Sequence, residues 1–124
     1  MKHDGQYTLS YHFFGLKHPS NHIDLFLQFP YYIHLTHYHI NLNDYRNKYC
    51  TAVLGKDHRS IYMQYQGKIS GNRGKVRILQ KGFFSMKLLK KNTPTPYAEI
   101  SKLAQVIFQD KNLIKIHSNT IKSN

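Results

Sequence analysis

Two histidines separated by one residue, His37 and His39, have the spacing in this chain that most clearly suggests chemistry. In a β-strand, residues i and i+2 point to the same side, so both imidazoles could reach one metal ion. A metal held there could polarise a phosphate group. Histidine is common throughout residues 1–40, however, and the same pair is also expected on an ordinary polar strand. We therefore predict no metal ligands from this pair and keep the metal site as an alternative.

The pair, taken with a distant tyrosine, resembles the rolling-circle (HUH) nucleases. The resemblance implies that a metal polarises a phosphate and that a tyrosine attacks it, and Tyr97, followed by Lys102, would be that nucleophile. Tyr38 stands where the family has an aliphatic residue, and no nearby Glu or Gln supplies a third ligand. A metal-dependent HUH-type endonuclease is therefore an alternative function.

A glycine-rich segment, residues 67–74, lies among the cations Lys68, Arg73 and Lys75. Glycines let a backbone approach a phosphate closely, and neighbouring cations would neutralise it. The spacing matches neither the P-loop nor the dinucleotide-binding pattern, so we do not predict nucleotide binding. Contact with an RNA backbone is the better interpretation, and an ordinary hairpin turn with exposed lysines is the other.

Other reactive residue types are isolated in the sequence. Cys50 is the only cysteine, which excludes an internal disulfide and fits a reducing or organellar compartment. The acids of the second half are scattered, and no paired-carboxylate or Ser/His/Asp arrangement follows from them. The tyrosines of residues 31–38 could stack on bases, but packing in a sheet core is the better prediction. We accordingly predict no catalytic residue, no metal and no cofactor.

The charge is concentrated in the second half of the chain. The 124 residues carry a formal charge of +12, and a chain of this length is expected to form one domain. Residues 1–44 hold two lysines and three aspartates, whereas residues 45–124 hold 16 basic and three acidic residues. Residues 67–91 contain eight cations and no acid, which is unusual for a free surface and typical of one that binds a polyanion. No apolar run is long enough for a transmembrane helix.

Alternating patterns predict a mostly antiparallel sheet. We expect strands at residues 6–14, 23–29, 31–40, 60–66, 75–80 and 113–117. A short helix is expected over residues 45–54, and Gly55 would end it. The main helix is expected at residues 97–109, because Pro96 could start it and apolar residues recur at helical spacing within it. The predicted class is therefore α+β, a mostly antiparallel sheet with one main helix (97–109) packed on one face.

Residues 61–118 resemble the C-terminal domain of universal small-subunit ribosomal protein three, mitochondrial type. The similarity follows this order: the strand 61–66, the turn Gly67-Lys68-Ile69-Ser70-Gly71, the basic stretch Lys75-Val76-Arg77, Gly82 before Ser85-Met86-Lys87-Leu88-Leu89, the helix start Pro96-Tyr97-Ala98-Glu99, and the strand Leu113-Ile114-Lys115-Ile116. The resemblance implies a reduced or split member of that family, near the mRNA entry channel.

We therefore predict a structural rRNA-binding component of the small mitochondrial ribosomal subunit. Its partners would be rRNA, neighbouring small-subunit proteins and mRNA, without a membrane. A phage or mobile-element inhibitor of a nucleoprotein complex is a further alternative. Residues 1–44 would form a near-neutral β segment, 45–118 the basic RNA-binding domain and 119–124 a tail. The predicted RNA-binding residues are Arg46, Lys48, Arg59, Lys68, Arg73, Lys75, Arg77, Lys81, Lys87, Lys90 and Lys91.

Overall fold

The fold consists almost entirely of β-strands. The computed structural model describes residues 3–30, 32–45, 49–88, 96–100, 104–108 and 113–117. The strands are β1 His3–Phe13, β2 His22–Gln28, β3 Thr36–Asn41, β4 Tyr49–Leu54, β5 Gly67–Lys68, β6 Lys75–Leu88, β7 Pro96–Ile100, β8 Ala104–Phe108 and β9 Leu113–His117. One helical turn, α1, spans Leu42–Tyr45, and a 3-10 helix spans Ser60–Met63.

The strands form one antiparallel sheet that closes on itself. The order is β1-β2-β3-β4-β9-β8-β7-β6, and β6 pairs again with β1. The two-residue strand β5 pairs with the first residues of β6. Closure gives each long strand a partner on both sides, which removes the unpaired edges that favour aggregation. Because of the closure, the sheet has an inner face and an outer face.

The main core lies on the inner face. Alternate residues of β1, β2 and β3 enter it, among them Leu9, Leu25 and Ile40, and all three are fully buried. The residues between them point outward. A smaller apolar cluster of Phe26, Leu35 and Met63 forms on that outer face, where the 3-10 helix packs against the sheet. This alternation places the polar residues of β1–β3 on the outer face beside the 3-10 helix.

The predicted main helix at 97–109 is wrong, and with it the α+β class. Residues 96–100 form β7, which pairs with β6, and residues 104–108 form β8, which pairs with β9. The apolar residues that suggested a helical stripe include Ile100 and Ile107, whose β-branched side chains suit strands equally well. Pairing with β6 and β9 satisfies the backbone donors and acceptors of both segments, an interaction that a local periodicity does not reveal.

Two shorter predictions are also corrected. Residues 49–54, expected in a helix, form β4 between β3 and β9. Residues 60–63, expected in a strand, form the 3-10 helix. The strands predicted at 6–14, 23–29 and 113–117 are confirmed with small changes of bounds. The strand predicted at 75–80 continues to Leu88, and of the strand predicted at 31–40, residues 36–40 belong to β3.

The near-neutral and basic segments of the chain share this sheet. Strand β1 pairs with β6 from His3 to Phe13, and β4 pairs with β9. The boundary predicted at residue 44 falls within α1, and the predicted tail, 119–124, lies outside the described residues. Among the described residues, no helix is both long and apolar enough to cross a membrane.

Candidate metal centre

A buried carboxylate on the outer face of the sheet is surrounded by three imidazoles. Asp24 is 5% exposed. Its Oδ1 lies 3.0 Å from Nε2 of His22 and 2.5 Å from Nε2 of His37, and its Oδ2 lies 3.7 Å from Nδ1 of His12. We call these four residues the Asp24 cluster. The ligand atoms of His12, His22 and Asp24 all lie within 4.8 Å of one another, close enough to share one metal ion.

Strand register brings these residues together. His12 faces His22 across β1 and β2, and Ser10 faces Asp24. Across β2 and β3, Asp24 faces His39 and Phe26 faces His37. His22 and Asp24 lie two residues apart on β2 and therefore share the outer face.

The turn between β1 and β2 holds the two strand ends in place. The backbone N–H of Phe14 donates to Oδ1 of Asn21 at 2.7 Å, and Nδ2 of Asn21 donates to the carbonyl of Gly15 at 2.8 Å. Asn21 is buried, so it ties the two sides of the turn together next to His12 and His22.

Two backbone carbonyls select the tautomers of the histidine ligands. Nε2 of His12 lies 2.6 Å from the carbonyl oxygen of Arg73, and Nδ1 of His22 lies 2.7 Å from that of Ser20. A carbonyl only accepts, so each of these nitrogens carries a hydrogen and donates it. In the neutral rings the lone pairs are then on Nδ1 of His12 and Nε2 of His22, both directed at Asp24. Two lone pairs facing a carboxylate need a cation between them, either protons or a metal ion.

His37 has a different role from the other two histidines. Its Nε2 contacts an ionised carboxylate, which can only accept, so His37 donates to Asp24. Its Nδ1 is buried and has no hydrogen-bond partner among the described residues. In this arrangement His37 does not bind the metal itself; it donates to the carboxylate that would bind the metal and so fixes the orientation of that carboxylate.

The residues around His37 fit closely against its ring. The backbone N–H of Gly55 donates to the His37 carbonyl at 2.8 Å. A Cβ atom at Gly55 would lie 2.7 Å from Nδ1 of His37, so only glycine leaves room for the ring. His58 packs edge-on against the ring at 4.5 Å, and Phe26 stacks on it at 5.2 Å.

The cluster strongly favours the ionised form of Asp24. Burial alone would raise the pKa of Asp24, but the interactions of its carboxylate with the imidazoles of His12, His22 and His37 outweigh burial and hold the pKa far below its usual value. For His22, burial lowers the pKa, yet the hydrogen bond and the charge of Asp24 raise it above its ordinary value. An ionised Asp24 therefore persists across the neutral range, ready to bind a cation.

His39 has the properties of a proton acceptor beside these ligands. It is exposed, and its ring stacks on that of His22 at 4.1 Å. Burial of part of the ring, followed by the nearby His22, lowers the pKa of His39. A neutral imidazole at pH 7 can accept a proton, as a general base must.

A further buried polar atom lies next to the carboxylate. Ser10, opposite Asp24, is fully buried, and its Oγ has no partner among the described residues. Buried polar atoms are normally satisfied by protein, water or a bound group. The two unpaired buried atoms, Ser10 Oγ and His37 Nδ1, therefore fit a site that takes up a bound group.

The donor set of two imidazoles and one carboxylate suits a divalent transition metal such as Zn²⁺, Mn²⁺ or Fe²⁺. With three protein ligands, a tetrahedral or octahedral ion keeps at least one position for water or substrate. Such open sites occur in catalytic rather than structural metal centres.

The structure places part of the predicted RNA-binding set on the outside of the protein. Exposed side chains are those of Arg59, Lys68, Arg73, Lys75, Arg77 and Lys81. Lys87 lies in β6, and Arg46, Lys48, Lys90 and Lys91 lie outside the described residues.

Four of these cations belong to the β5–β6 hairpin, residues 67–77. Lys68 and Lys75 are directly opposite each other in register, and like charges so placed are unfavourable without an anion. Arg73 lies in the turn, where its Nε donates to the Ser70 carbonyl at 2.8 Å. Because the Arg73 carbonyl holds the His12 ring, this cationic hairpin is joined directly to the Asp24 cluster.

The histidine pair singled out by its spacing lies in the site, but the structure gives its members different neighbours. His37 donates to Asp24 and His39 stacks on His22. Tyr97 is distant from the cluster. His12 pairs with Val76 and Tyr97 with Lys87, eleven residues further along β6, which corresponds to roughly 35 Å of strand.

Sequence reasoning missed His12, His22 and Asp24. One local signal was available, since His22 and Asp24 stand two apart within an alternating strand. His12 gives no such signal, because its place depends on the register between β1 and β2.

No protein-family model and no curated protein matches this sequence. The resemblance to small-subunit ribosomal protein three therefore stays a prediction. The helix that it implies after Pro96 is replaced by β7 and β8.

Proposed function

We propose that the protein binds nucleic acid and acts on its phosphate esters with a divalent metal held by His12, His22 and Asp24. The observation that carries the proposal is the directed geometry of the cluster, in which two tautomer-fixed imidazole lone pairs and a carboxylate meet within 4.8 Å. The cationic hairpin that holds His12 supplies the attraction for a polyanion.

The proposed reaction is hydrolysis of a phosphate ester. The metal would polarise a phosphate oxygen and lower the pKa of a bound water. His39 takes a proton from the water, whose oxygen forms a bond to phosphorus. The bond between phosphorus and the leaving sugar oxygen would break, and that oxygen would take up a proton from solvent, while His39 releases its own proton to solvent afterwards. The distance to Tyr97 argues against a covalent tyrosine intermediate at this centre.

The test is cleavage of fluorescent single-stranded and duplex DNA and RNA, including 3′-phosphorylated ends, by metal-free protein with Mn²⁺, Zn²⁺, Fe²⁺ or Mg²⁺ added separately. We expect metal-dependent product formation that is lost in His22→Ala and kept in His34→Ala, a control histidine on the exposed β2–β3 loop. No product with any metal and substrate, or equal activity in His22→Ala, would overturn the proposal.

A structural rRNA-binding role in the small mitochondrial ribosomal subunit is the second candidate. It is favoured by the facing pair Lys68 and Lys75, which an RNA phosphate would stabilise. This role predicts co-sedimentation of the chain with small subunits and no metal-dependent product. The enzymatic role predicts the opposite pair of results.

A further inference from the structure

A second polar site lies on the outer face of the sheet, at the far end of β1 and β2 from His12 and His22. It is a pocket of about 450 Å³, a size found for small-ligand sites. Gln64 and Met63 form one wall at the end of the 3-10 helix, and Phe83 and Lys81 of β6 form the other. The floor includes Gln6 and Gln28.

Strand register orders these floor and wall residues. Gln6 of β1 pairs with Gln28 on one side and with Phe83 on the other, so the three lie in a row across β2, β1 and β6. Lys81 lies two residues from Phe83 and therefore on the same face. The row offers two carboxamides, an aromatic ring and a cation.

Phe83 is unusual among these residues, because it is 66% exposed although Phe26 and Phe84 of the same sheet are buried. A large exposed ring on a polar strand face provides a stacking surface. The carboxamides of Gln6, Gln28 and Gln64 make no hydrogen bond within the described part of the chain. Each therefore has donors and an acceptor available for a ligand.

We propose that this pocket binds an unpaired base of a single-stranded nucleic acid, stacked on Phe83. Carboxamides can pair with base edges, and stacking on an aromatic ring is how single strands are commonly held. Lys81 would neutralise a neighbouring phosphate, in keeping with the net charge of +12. The inference rests on the proposed function, since it makes a single strand the substrate of the Asp24 cluster.

The pocket is within reach of the metal centre. Asp24 and Gln28 are four residues apart on β2, about 13 Å, and His12 and Gln6 are six apart on β1, about 20 Å. The 3-10 helix lies between the two sites, anchored where Oγ1 of Thr8 donates to the Met63 carbonyl at 2.7 Å. A strand of a few nucleotides would span this distance and place one phosphate at the metal while a base occupies the pocket.

The experiment uses the full chain in EDTA, so that binding is measured without cleavage. The probes are short single-stranded DNA and RNA oligonucleotides with one 2-aminopurine, and anisotropy and 2-aminopurine fluorescence are followed together. We expect a change of fluorescence on binding to the wild type. Phe83→Ala should remove that change and weaken binding roughly 5- to 150-fold, while Phe83→Tyr keeps both.

The controls separate this pocket from other exposed surface. Ile33→Ala, at another exposed apolar side chain, and His34→Ala, at an exposed histidine outside both sites, should leave the fluorescence change intact. An oligonucleotide with an abasic position in place of 2-aminopurine should bind wild type as weakly as the intact one binds Phe83→Ala. The tighter of the DNA and RNA probes identifies the sugar of the natural ligand.

Unchanged affinity and fluorescence in Phe83→Ala would overturn the pocket, whatever the cleavage assay shows. The absence of a fluorescence change with both probes would overturn it as well. A change that depends on Phe83, found together with no cleavage under any metal, would support the pocket while contradicting the proposed function. The two failures are therefore distinguishable.

Discussion

His37 donates a hydrogen bond from Nε2 to Oδ1 of Asp24 across 2.5 Å, although the two residues belong to neighbouring strands and lie thirteen positions apart. This contact leaves Oδ2 as the carboxylate oxygen that faces His12. It also separates the residues that can bind a metal from His37, which orients the Asp24 carboxylate. It makes the role of each histidine around Asp24 experimentally separable.

Removal of either metal-ligating histidine should weaken metal binding strongly. We expect His12→Ala and His22→Ala each to weaken Zn²⁺ or Mn²⁺ binding by more than about 100-fold. This loss is larger than the loss caused by removing a residue that contacts a ligand but not the metal. Isothermal titration calorimetry on metal-free protein measures this directly. His34→Ala is the matched control and should bind as the wild type does. Equal affinity in all three variants would show that the metal lies elsewhere.

Removal of the orienting residue should have a smaller effect. We expect His37→Ala to weaken metal binding about 10- to 100-fold, because Asp24 loses its donor but stays available as a ligand. Gly55→Ala should have an effect in the same direction, since its Cβ would displace the His37 ring. Circular dichroism shows whether each variant is folded. A folded His37→Ala with wild-type affinity would contradict the orienting role.

The contribution of His22 to the stability of the metal-free protein should fall as the pH rises through neutrality, whereas His39 and His58, whose pKa values are lowered, contribute in the opposite direction. The pKa of His22 is higher in the folded than in the unfolded state. Protonated His22 therefore adds to the free energy of unfolding fully at pH values below its unfolded pKa of about 6.5, and this addition is lost as the pH rises past its folded pKa. The pKa of Asp24 is lowered, so its contribution is present above about 4 and is lost only in stronger acid. The difference between wild type and His22→Ala in urea denaturation in EDTA between pH 4.5 and 9 measures the contribution of His22.

Bound metal should reverse this trend. A metal competes with the proton for Nε2 of His22, so its affinity, and the stability it adds, should rise with pH. Repeating the urea series with saturating Zn²⁺ provides the comparison. The same pH slope with and without metal would contradict binding at His22.

Nucleic-acid binding should depend steeply on salt through the cationic hairpin. Simultaneous substitution of Arg73, Lys75 and Arg77 by Ala should reduce the slope of log affinity against log salt by about 2 for a single strand. Anisotropy titrations at several salt concentrations measure the slope. If the slope does not change, the phosphate contacts lie on other cations, of which Lys56, Arg59, Lys68 and Lys81 are the exposed candidates in residues 52–84.

Tyr97 should be dispensable for cleavage at the Asp24 cluster. Because about 35 Å of strand separates it from His12, Tyr97→Phe should retain activity and form no less product than the wild type. A covalent protein–nucleic acid adduct that is lost in Tyr97→Phe would instead support the HUH-type mechanism. Gel mobility of denatured reaction mixtures distinguishes the two.

The sequence by itself determined the strands whose pattern is local. Alternation in residues 23–29 predicts β2, and the glycines and cations of residues 67–77 predict a basic hairpin turn, because both signals are contained within a few neighbouring residues. The concentration of charge in the second half is likewise a property of composition.

Only the tertiary structure decided the class of the fold and the composition of the site. The segments at 49–54 and 96–108 have patterns compatible with helix or strand, and pairing with β9 and β6 selects strand because it satisfies their backbone groups. Of the residues in the Asp24 cluster, only His22 lies close to Asp24 in the sequence. Register across three strands brings His12 and His37 to its carboxylate, and a one-residue slip would turn each ring to the other face.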